Sequence, residues 1–127
     1  MKNKGRLKTL LWGLLLTGSE AAGAAPVIEM GEPETYCVTY CYIRVPFTVT
    51  DYGPGERIGR VFCEFDAEVT AALPVYHGEK KTKGMRASPI GVFRSKDGAG
   101  IGDVEMSTGI IKNYFLGANV KSIHCHF

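Results

Sequence analysis

Four cysteines and three histidines are the side chains of this chain with the widest chemical reach. His124-Cys125-His126 places two imidazoles at i and i+2, which in a strand project from one face with Cβ atoms about 6–7 Å apart. That separation suits joint coordination of one zinc or copper ion, with Glu64 or Asp66 from the polar face of a neighbouring strand as a third ligand. Cys125 points the opposite way and belongs to different chemistry. Together with Cys37, Cys41 and Cys63 it makes an even set, which in a small exported domain reads as a disulfide framework. Oxidised cysteines are not nucleophiles, and the stretch CVTYC does not have the CxxC spacing of a thiol–disulfide exchange centre. His77 lies in a loop without a serine or cysteine motif beside it, and the carboxylates are scattered singly. No nucleophile or acid–base pair has an orienting partner. A non-enzymatic protein without a cofactor is therefore expected. The glycines of SKDGAGIGDVEM lack the following helix and the closing Lys-Ser/Thr of a phosphate-cradling loop, and read as a hairpin turn.

The compartment in which these cysteines meet is set by the amino-terminal stretch. Met1–Lys8 carries Lys2, Lys4, Arg6 and Lys8 without an acidic residue, and TLLWGLLLT follows, too short to span a bilayer as a stable helix. Small residues come next, and Ala22-Gly23-Ala24 fits the A-x-A site of signal peptidase. The expected organisation is a cleaved signal peptide over 1–24, an extended leader over 25–35 and a single β domain over 36–127. Removal of the first segment takes the chain from 15 basic and 13 acidic residues to 11 and 12, so its net charge falls from +2 to about −1. The basicity belongs to the export sequence, and nucleic-acid binding loses its electrostatic support. No stable membrane span remains after cleavage, and a periplasmic or secreted location is expected.

Residues 36–50 alternate well. Cys37, Thr39, Cys41, Ile43, Val45, Phe47 and Val49 share one face, and Tyr36, Val38, Tyr40, Tyr42 and Arg44 share the other. Pro46 cannot donate a ladder hydrogen bond, which predicts an edge strand or a bulge there. Asp51–Glu56 is a turn on composition. Over 57–70, Val61, Cys63, Phe65, Ala67 and Val69 alternate with Arg60, Glu64, Asp66, Glu68 and Thr70, giving one buried and one solvated face. Shorter strands are expected near 73–76, 90–94, 104–106, 110–115 and 120–127. The run Glu79–Arg86 reads as a solvated basic loop. The carboxyl-terminal Phe127 suits a last core strand, because the chain is short for a membrane barrel and strand 57–70 has no lipid-compatible face.

Short strands separated by Gly-rich turns predict an all-β fold, a small antiparallel β-sandwich immunoglobulin-like in outline. Across such a core, Cys63 on strand 57–70 and Cys125 on the last strand are the preferred pair. Residues four apart in one strand lie about 13 Å apart, too far for a disulfide. A Cys37–Cys41 bond therefore requires a turn between them, and the competing scheme joins each of them to Cys63 or Cys125. The functional class expected is a protein-binding or structural module. Tyr36, Tyr40, Tyr42 and Arg44 form its first candidate contact patch, since tyrosine and arginine are enriched at interface hot spots. Lys80, Lys81, Lys83 and Arg86 form the second. The alternative is a periplasmic metal-binding protein using His124 and His126.

Overall fold

The computed structural model describes residues 25–127; residues 1–24, on which the signal-peptide expectation falls, lie outside the described residues. Eight strands follow one another: β1 (Val27–Met30), β2 (Glu34–Cys37), β3 (Tyr40–Thr50), β4 (Glu56–Ala71), β5 (Lys81–Ala87), β6 (Ile90–Lys96), β7 (Ala99–Ile111) and β8 (Phe115–His126). All pairings are antiparallel and all strands belong to one sheet. Its path runs β1-β3-β7-β6-β4-β5, with β2 also on β3 and β8 also on β4. The expected two-layer sandwich is replaced by a single sheet that curls into a nearly closed, barrel-like form. Hydrogen bonding is continuous from β3 through β7 and β6 to β4, whereas an immunoglobulin-like fold divides its strands between two sheets.

The curl follows from side-chain pattern. Odd-numbered positions of β3 and β4 carry Ile43, Val45, Phe47, Val49, Val61, Phe65 and Ala67, all buried. Val104 from β7 and Phe93 from β6 complete the interior. Ile28 and Met30 come from β1 at one end of the sheet, and Ile123 and Cys125 from β8 at the other. All four pack on the same buried cluster, so the two outer strands are drawn together by apolar contact. Phe47 and Phe93 meet edge to face at 6.0 Å, and each buried ring stabilises the fold by about 1.5–3 kcal/mol. Tyr52 and Phe127 extend this aromatic cluster at one end of the roll. Phe127 is therefore a core-edge residue, 39% exposed, and not a fully buried one.

Glycine makes room for the rings. A Cβ on Gly102 would stand 2.7 Å from Phe47 Cζ, and one on Gly91 would stand 2.9 Å from Phe47 Cε1. Asp97 (φ 51°) and Gly98 (φ 95°) form the two-residue turn between β6 and β7, the left-handed geometry that an Asp-Gly pair supplies in hairpins.

Several expected boundaries are corrected. Residues 36–50 are not one strand: the chain bends at Val38–Thr39, and β2 folds back on β3. The stretch read as an extended leader supplies β1 and the start of β2. β3 is an interior strand. Pro46 falls in the break between its two short neighbours, where β1 ends opposite Phe47 and β2 begins opposite Arg44, so its missing N–H interrupts no pairing on that side. Leu73–Tyr76 holds a 3₁₀ turn at Pro74–Tyr76 in place of a strand. Residues 104–106 and 110–111 belong to a single β7 that begins at Ala99. The supposed basic loop is β5, paired to β4 from Phe65↔Ala87 to Ala71↔Lys81.

Candidate functional site

Both disulfides join residues directly opposite one another in register. Cys37 bonds to Cys41 across the β2–β3 hairpin, and Cys63 to Cys125 across β4–β8. The bend at Val38–Thr39 removes the obstacle that an unbroken strand would have set, and brings the Cys37 and Cys41 Cα atoms to 4.0 Å. Cys63 and Cys125 pair as expected, but as neighbours in one sheet and not across a core. No free cysteine remains among the described residues, a pattern typical of oxidising extracellular compartments. No helix among the described residues is long and apolar enough to cross a membrane.

The hairpin also organises the tyrosine patch. Tyr36 and Tyr42 are cross-strand partners whose rings stack at 5.4 Å, and the Arg44 guanidinium lies 4.9 Å from the Tyr36 ring centre. The Tyr36 hydroxyl donates to the Glu105 carboxylate, which raises its pKa above the usual tyrosine value. Arg44 donates to Glu34 at 3.3 Å, which raises its pKa further. Tyr40, beyond the bend, pairs with Ile111 of β7 and takes no part in this stack. Three of the four residues thus form one cluster, in which the Tyr36 hydroxyl and the Arg44 guanidinium are already engaged by carboxylates of the chain.

His124 stands opposite Glu64 and His126 opposite Phe62 on the β4–β8 pair. The His126 ring stacks on Phe62 at 6.0 Å, with its Nδ1 3.0 Å from the Phe127 carbonyl oxygen. Among the described residues no group of three or more His, Cys, Asp or Glu side chains is arranged to hold a metal ion. Of the basic set, Lys81, Lys83 and Arg86 lie on β5, with Lys80 immediately before it.

A broad concave surface lies elsewhere. Sheet register aligns outward-facing residues of four strands in rows: Thr48, Ile101, Arg94 and Ile58 form one, and Pro46, Asp103, Val92 and Arg60 form the next. Phe62 and Ile90 follow. Ile58 is 66% exposed, Ile101 73%, Val92 56% and Ile90 53%, so four branched aliphatic side chains share one solvated face. An open groove of about 1000 Å³ occupies one end of this face, between Thr48 and Thr50 on one side and Glu56 and Ile58 on the other. Arg94 lies within it between Ile101 and Ile58, Lys96 follows two residues along β6, and Arg57 touches its edge from the opposite parity of β4; none of the three has an ion-pair partner among the described residues. Arg57 is steadied by donating from Nε to the Pro54 carbonyl at 3.0 Å.

No family model, curated protein or solved structure matches this chain. Its chemistry must be read from these surfaces. A face on which exposed aliphatic side chains are interspersed with charged ones is suited to contact and charge pairing. Sequence reading missed these residues because they come from separate strands. Ile58 has the parity of Arg60 and Glu64, and together with Phe62 it breaks the polar row of β4. Ile90 and Val92 do the same on β6. Each is a small anomaly alone, and only register makes them neighbours.

Proposed function

We propose that this protein is an exported, non-enzymatic binding module that receives a protein partner on the outer face of β3, β4, β6 and β7. The observation that carries the reading is the exposure of Ile58, Ile90, Val92 and Ile101 on one sheet face whose opposite side already fills the core. Contiguous exposed apolar surface of this kind marks interaction sites in soluble domains. Arg94, between Ile101 and Ile58, and Lys96 two residues along β6 select the partner's chemistry: apolar side chains interspersed with carboxylates. A periplasmic or secreted setting is supported by the two intramolecular disulfides and by the basic, apolar and small-residue order of the first 24 residues.

The test is site-specific photo-crosslinking in the native host from a photoreactive residue at Ile101, with Thr70 at the far end of β4 as control. A discrete protein adduct at Ile101, lost when Arg94→Glu and Lys96→Glu are combined and weakened by salt, is expected. An adduct of equal yield at Thr70, or one indifferent to charge reversal at Arg94 and Lys96, overturns the proposal.

A further inference from the structure

A second surface, independent of the first, is created where the sheet forks. β6 lies between β4 and β7 as far as Val92↔Asp103, and the chain reaches it from β5 through Ser88-Pro89. Before that point β5 pairs with β4 alone, and from Val104 to Ile111 β7 pairs with β3 alone. Among the described residues each strand therefore has one edge without a strand partner, and both edges begin at the same place. An opening of about 320 Å³ lies there, lined by residues of β4, β5, β7 and the 3₁₀ turn. Its apolar walls include Val69, Met85 and Ile110.

Lys81 and Lys83 stand in register with Ala71 and Val69, on the row that elsewhere faces the core. Here the roll is open, and both side chains are exposed. Their ammonium groups lie 5.2 and 5.5 Å from the centre of the Tyr76 ring. Neither they nor Arg86 has a carboxylate partner among the described residues. Lysines on an edge strand repel basic strands, and a neutral strand added there would desolvate them without a partner. The same charges leave one class of extended segment acceptable.

We infer that this fork is an acceptor for an acidic polypeptide segment, which adds to the sheet as an extra strand. Backbone N–H and C=O groups of the incoming segment complete the free edge of β5 or β7. Carboxylates at alternate positions, about 6–7 Å apart along one face, match the spacing of Lys81 and Lys83. The recognised pattern is thus Asp/Glu-x-Asp/Glu within an extended segment.

The test is fluorescence anisotropy with a labelled peptide of alternating glutamate and valine, at physiological ionic strength, on the purified oxidised protein. Binding is expected, with hydrogen-exchange protection appearing in β5 or over Val104–Ile111. N-methylation of alternate peptide nitrogens keeps the charge and removes strand hydrogen bonding, and should weaken binding about tenfold or more. Combined Lys81→Glu and Lys83→Glu should do the same, with unchanged circular dichroism; Lys81→Gln with Lys83→Gln should weaken binding by less. Absence of binding, equal binding of the N-methylated peptide, or protection confined to the outer face of β4 and β6 overturns the inference. So does a dimer that closes this edge with a second copy and is dissolved by the charge reversal.

Discussion

Combined Cys63→Ala and Cys125→Ala substitution should destabilise the domain far more than combined Cys37→Ala and Cys41→Ala. Sequence separation is 62 residues for the first bond and 4 for the second. In the chain-entropy model a closed loop of the first size contributes about 4 kcal/mol by restricting the unfolded chain, and one of the second size about 2 kcal/mol. Loop closure alone therefore accounts for a difference of roughly 2.4 kcal/mol, and the packing of Cys63 and Cys125 on the main core cluster, which Cys37 and Cys41 do not join, acts in the same direction. With a urea dependence of about 1–3 kcal/mol per molar for a small domain, the two variants' midpoints should differ by about 1–2 M. Unfolding followed together by far-ultraviolet circular dichroism and tyrosine fluorescence measures this directly. A Cys37→Ala/Cys41→Ala variant as damaged as the other would refute the reasoning. It would mean that the short hairpin bond acts by holding the native sheet rather than by limiting the unfolded chain.

Two further outcomes follow from side-chain geometry. Gly102→Ala forces a methyl against Phe47 Cζ and the Val92 carbonyl, at 2.7 and 2.6 Å, and should cost about 1–3 kcal/mol. Gly117→Ala, with nothing within 4 Å of the new atom, should leave the urea midpoint nearly unchanged, and equal effects at the two sites would discredit the packing argument. The Tyr36 phenol, hydrogen-bonded to Glu105, should titrate above 10.0 when followed on its ring carbons by nuclear magnetic resonance. Because the folded value is raised, the stabilisation from this contact is present below the unfolded tyrosine pKa and lost as pH rises through the folded one. Glu105→Ala should move the titration back toward the ordinary value; an unmoved curve would show that the carboxylate is not its main cause.

Strand content was legible wherever alternation was strong. β4 declares itself by Val61, Cys63, Phe65, Ala67 and Val69, and the β6–β7 turn by Asp97-Gly98. The β2–β3 bend was hidden because Val38 and Thr39 are strand formers by type and interrupt no alternation. β5 was hidden for the opposite reason. Its inner row holds Lys81 and Lys83 where a closed roll would require apolar residues, so its pattern looks like a solvated loop. β7 was divided because Gly100 and Gly102 occupy inner positions that large residues would mark, the space being filled from elsewhere by Phe47 and Phe93. Of the candidate contact residues, the Tyr36, Tyr42 and Arg44 cluster could be anticipated from composition. The outer groove could not, since Ile58, Ile90, Val92 and Ile101 lie on three strands whose pairing no local pattern reports.

The cysteines are joined first to second and third to fourth along the chain. For a polypeptide delivered amino terminus first into an oxidant, that order has a practical result. Cys37 and Cys41 emerge together and meet as soon as the hairpin forms, leaving no reactive thiol to trap the next one wrongly. Cys63 then has a single remaining mate 62 residues further on, so the second covalent link waits until β8 has arrived. Maturation can therefore proceed without reshuffling of mispaired intermediates, and β8 is locked to β4 only after the strands between them have been delivered.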